Sequence, residues 1–66
     1  MIFIAYSPDN GKEVEVYASR ISEAAIILSS RMFGDGWGKI RVFEKSDGKS
    51  AIVVAPNKRP FKIDAM

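Results

Sequence analysis

Apolar and polar positions repeat with a period of two near both ends of the chain and with a helical period in between. Residues 2–6 are a short apolar run, and over residues 13–18 Val14, Val16 and Ala18 alternate with Glu13, Glu15 and Tyr17. Such alternation predicts strands with one dry and one wet face. The turn formers Ser7-Pro8-Asp9-Asn10-Gly11-Lys12 lie between them, so the pair predicts a β-hairpin. From Ser19 the spacing changes. Ile21, Ala24, Ala25, Leu28 and Met32 recur at helical intervals and predict a helix of about four turns. Ser19 or Ser22 is expected to cap its first amides, and Gly34 to end it.

Residues 39–45 and 50–55 are again strand-like, joined by Ser46-Asp47-Gly48-Lys49, whose Asp-Gly pair suits a tight turn. The segment Gly34-Asp35-Gly36-Trp37-Gly38 links the helix to this second hairpin. It follows a helix and leads into a strand, the reverse of a phosphate-binding loop. Residues 61–64 predict a short fifth strand, and the prolines before it, Pro56 and Pro60, suggest an edge position. The expected fold is α+β: a single domain over residues 1–66, one helix packed on a four- to five-stranded antiparallel sheet in the order β-β-α-β-β(-β). A right-handed crossover by the helix would set the third strand beside the first and give the strand order 2-1-3-4-5.

Composition narrows the function. The chain has no cysteine and no histidine, so thiolate ligands, disulfides and the commonest general base are all missing. The eight acids are scattered through turns and strand faces, with no pair set in an apolar stretch that would tune it for proton transfer. No catalytic residue, metal ligand or cofactor is therefore expected, and the chain reads as a binding protein. No apolar run approaches the ~20 residues of a membrane span, and the apolar start lacks a basic leader region, so a cytoplasmic protein is expected.

Charge and exposed apolar positions suggest where binding would occur. Residues 38–66 carry seven basic and three acidic side chains, net +4, whereas residues 1–37 are net −2. Lys39, Arg41, Lys45, Lys49, Lys58, Arg59 and Lys62 would form a positive surface for phosphates or for an acidic protein patch. With Val14, Val16, Ile40 and Val42 turned toward the helix, Glu15, Tyr17, Arg41, Phe43 and Lys45 share the bare sheet face. Basic and aromatic neighbours of this kind also suit single-stranded nucleic acid, which is the alternative partner. The expected contact set is Trp37, Lys39, Arg41, Phe43, Lys45 and Lys49, with Trp37 as an aromatic anchor. On the helix, Ile26 and Phe33 lie away from the core positions and offer a surface for self-association, so monomer and homodimer both stand.

The segment Tyr17-Ala18-Ser19-Arg20-Ile21-Ser22-Glu23-Ala24, a strand running through an Ala-Ser step into a helix, resembles very small phage proteins. In length and element order the chain is most similar to small anti-CRISPR proteins that act on type I surveillance complexes, over nearly its whole length. It also resembles a phage inhibitor of bacterial RNA polymerase, over roughly residues 3–45. The first resemblance implies a stoichiometric inhibitor that occupies a host ribonucleoprotein complex and blocks target DNA binding. This helix carries Ile26 and Ile27 where such relatives tend to show Lys or Arg, so the resemblance transfers a class and not a contact site.

Overall fold

The computed structural model describes residues 1–34 and 38–66. The elements follow in the order β1 (Ile2–Tyr6), β2 (Glu13–Tyr17), α1 (Ile21–Phe33), β3 (Arg41–Glu44), β4 (Ser50–Val54) and β5 (Phe61–Ala65). All five strands belong to one antiparallel sheet, ordered β2-β1-β5-β4-β3, and α1 lies on one face. The α+β class and the two hairpins are as the periodicity predicts.

The strand order differs from the expected 2-1-3-4-5, and the fifth strand is central rather than at an edge. Burial explains both differences. Phe61 and Ile63 of β5 are buried, and their register sets Ile63 opposite Ala5 on one side and Ala51 on the other. Both prolines precede β5, so no ladder N–H is missing from it. β3, by contrast, has no fully buried side chain and three exposed ones, the composition of an edge strand.

The helix approaches the sheet closely because small residues meet there. Ala24 and Ala25 on α1 and Ala5 and Ala51 on the sheet are all buried, and Phe3, Leu28, Val53 and Ile63 fill the space around them. Ser29 is buried within this layer, and its hydroxyl donates to the Ala25 carbonyl at 2.7 Å, so no polar group there goes unpaired. At the far end of α1, Phe33 meets Phe61 edge to face at 5.5 Å between ring centroids.

The helix start departs from expectation. Arg20 occupies the capping position in extended geometry without a side-chain bond to the helix, and the Ser19 hydroxyl donates instead to the Glu23 carboxylate at 2.8 Å. Gly34 ends the helix as expected: its φ of 71° is open to glycine at little cost, and its N–H donates to the Ser30 carbonyl.

Candidate functional site

Among the described residues one helix covers one face of the sheet, and no element covers the other. Strand alternation turns Ile2, Tyr6, Tyr17, Phe43 and Ile52 to that side, and each is 41% or more exposed, Tyr17 reaching 78%. The register aligns Tyr17 with Ile2, Glu15 with Ile4 and Asp64, and Phe43 with Ile52 and Lys62. Phe43 and Ile52 form a directly opposed apolar pair flanked by Arg41 on the same strand and Lys62 across the ladder.

On the bare face the sheet order separates β2 acids from β3 cations, Glu44 of β3 being turned with Val42 to the other side. Glu13 and Glu15 stand on β2 at one edge, and Arg41 on β3 at the other, with Lys39 and Lys45 on its flanks. Lys39 and Arg41, together with Val54, Ala55 and Pro56, line an open groove of about 250 Å³ at the start of β3. Two cations over an apolar floor suit an acidic or aromatic group better than a neutral polar one.

The seven basic residues of the second half do not form one surface. Lys58 lies over the Phe33 ring, its Nζ 6.0 Å from the centroid, on the helix side. Arg59 reaches Asp9 at 4.0 Å and Lys62 reaches Asp64 at 3.7 Å, exposed pairs of small energetic weight. Among the described residues, Lys39, Arg41, Lys45 and Lys49 have no such acid partner. Arg41, Phe43 and Lys45 share the bare face as expected. Lys49 precedes Ala51 and Val53 by the strand period and so turns toward the helix side, away from them. Trp37 lies outside the described residues.

The helix surface also divides. Ile26 is 55% exposed among Ser22, Glu23 and Ser30, whereas Phe33 is half-buried against Phe61. The two therefore do not make one exposed apolar patch. Ile2, Tyr6 and Ile52 are face residues that the sequence does not single out, and Lys62, notable there only for its charge, joins them on this face. Ile52 is hidden in the run Ala51-Ile52-Val53-Val54, which is apolar on both faces and has no visible alternation.

Comparison with protein-family models, with curated proteins and with solved structures returns no match. Among the described residues, no three acids cluster closely enough to hold a metal ion, and no helix is long and apolar enough to cross a membrane.

Proposed function

We propose that this chain is a non-catalytic binding domain that holds a macromolecular partner against the bare sheet face at its β3–β4 end. The observation that carries this reading is the concentration of exposed apolar and aromatic side chains on the face without a helix, next to cations that have no acid partner among the described residues. Water-exposed Phe43 and Ile52 contribute nothing to the core where they stand, and covering them would release that apolar surface from water. Arg41 beside them supplies the charged, planar group that interfaces favour.

The resemblance to anti-CRISPR inhibitors supplies the proposed partner: a type I CRISPR surveillance complex, occupied stoichiometrically so that target DNA is kept out. The test is DNA binding by a guide-loaded complex in the presence of excess chain. Binding should fall, and the double variant Arg41→Glu, Phe43→Ala should restore it while remaining folded. Unchanged DNA binding at saturating chain removes this partner.

A second reading, a nucleic-acid module, is favoured by Phe43 with Arg41 and Lys62 around it. It predicts binding of single-stranded oligonucleotides that weakens steeply as salt rises. No binding at low salt eliminates it.

A further inference from the structure

The register and the hairpin bonds determine where the backbone of β3 points. Lys45 N–H donates to the Ser50 carbonyl at 2.9 Å, which makes Lys45 and Ser50 a hydrogen-bonded pair. Bonded and non-bonded pairs alternate along an antiparallel ladder, so Phe43–Ile52 and Arg41–Val54 are bonded, and Val42–Val53 and Glu44–Ala51 are not. The N–H and C=O groups of Val42 and Glu44 therefore point away from β4, out of the sheet edge. Among the described residues nothing pairs with them. β2, the other edge, is different: the Arg31 guanidinium donates to the outward Glu15 carbonyl at 3.0 Å.

We infer that β3 is a strand-addition edge, which binds an extended acidic segment of a partner protein as a sixth strand. This rests on the proposed reading of the chain as a binding domain and names the partner's chemistry. Charge complementarity selects the occupant. An added antiparallel strand sets residues of like facing opposite one another, so its bare-face side chains would lie against Arg41, Phe43 and Lys45 in turn. The matching order is acid, apolar or aromatic, acid, with an apolar residue over half-buried Val42 between the first two. Main-chain bonds from Val42 and Glu44 hold the strand, and the Lys39–Arg41 groove receives the acid at its end. A second copy offering its own β3, paired antiparallel so that Val42 meets Glu44, would set Arg41 against Lys45, like charge opposite like charge. A nucleic acid has no ladder of N–H and C=O groups to offer Val42 and Glu44.

The probe is a synthetic peptide with blocked ends and the core Glu-Val-Tyr-Val-Glu, titrated into isotope-labelled chain with amide exchange read at each residue. The expected result is saturable shifts along β3 and exchange at the Val42 and Glu44 amides slowed at least tenfold, with the Lys-Val-Tyr-Val-Lys peptide at least tenfold weaker. Val42→Pro removes an N–H that the fold does not use and should abolish binding while the chain stays folded. No shift along β3, or unslowed Val42 and Glu44 exchange, overturns strand addition, as does equal binding of both peptides or an elution mass that doubles without peptide. If folded Val42→Pro binds as the parent does while Arg41→Glu does not, strand addition falls and the bare-face reading stands. If neither matters, both fall. Should Val42→Pro unfold, N-methylation of Val42 by chemical synthesis deletes the same donor and is read the same way.

Discussion

The two edges of the sheet differ in charge and in one backbone contact. β2 carries the buried Val16 and half-buried Val14 under the helix, presents Glu13 and Glu15, and has one outward carbonyl taken by Arg31. β3 has one half-buried side chain, presents Arg41 and Phe43, and keeps its outward groups bare among the described residues. Exposed edges are aggregation liabilities that proteins normally blunt. The helix enters from β2 through the short Ala18–Arg20 link, and its Arg31 reaches that edge. On the proposed reading, the edge left for a partner is the one that lies far from where the helix enters.

The largest effect expected from breaking this comparison comes from proline placed within β3. Phe43→Pro deletes a ladder bond to β4 and should cost about 1–3 kcal/mol, a large share of the roughly 3–5 kcal/mol that a core of this size supplies. Val42→Pro points the deletion outward and should leave a cooperative thermal transition, observed by circular dichroism. A larger loss in Val42→Pro than in Phe43→Pro would show that the bonding phase of β3 is the reverse of that described.

Next in size is charge. Arg41→Glu gives β3 the sign of β2, and should weaken partner capture by on the order of thirtyfold, about 2 kcal/mol, without shifting the melting temperature. Glu15→Ala, on the guarded edge, should leave capture unchanged. A parallel loss in the two variants would remove the β3 end as the contact surface.

Arg31→Ala opens the guarded edge. It should cost less than about 1 kcal/mol, since one exposed hydrogen bond is lost. Its more telling readout is sedimentation, where the variant should self-associate at concentrations at which the parent stays monomeric. The smallest effect belongs to Ile26→Glu, expected within about 0.5 kcal/mol of the parent and with unchanged mass, because a single exposed isoleucine is too small a surface to hold a second copy.

The elements were legible in the sequence because period two and period 3.6 are local signals, and Glu13 to Ala18 and Ile21 to Met32 display them cleanly. Strand order was not, since it depends on which strands compete best for the centre. The Pro60 before Phe61 suggested an edge, yet a proline one residue ahead of a strand removes no ladder bond, and the burial of Phe61 and Ile63 decided the matter. The candidate site was half legible. Arg41, Phe43 and Lys45 follow from alternation with Val42, but Ile52 lies in a run without alternation, and Lys62 belongs to the face only because β5 is central. Lys58, Arg59 and Lys62 appeared as free charge in the sequence, whereas the fold sets each beside a ring or an acid.

The central place of β5 also bears on how the chain reaches this state. β1 and β2 form one hairpin and β3 and β4 another, each closed by a nearby turn, and the sheet has no direct ladder between the two. They are joined only when residues 61–65 insert between them, pairing Ala5 with Ile63 across most of the chain. Contacts so distant in sequence are slow to form, because loop closure must be met before they contribute. During synthesis the hairpins and helix emerge first, with Phe3, Ala5, Ala51 and Val53 incompletely covered. The last strand therefore acts as the keystone of a folding reaction that commits late.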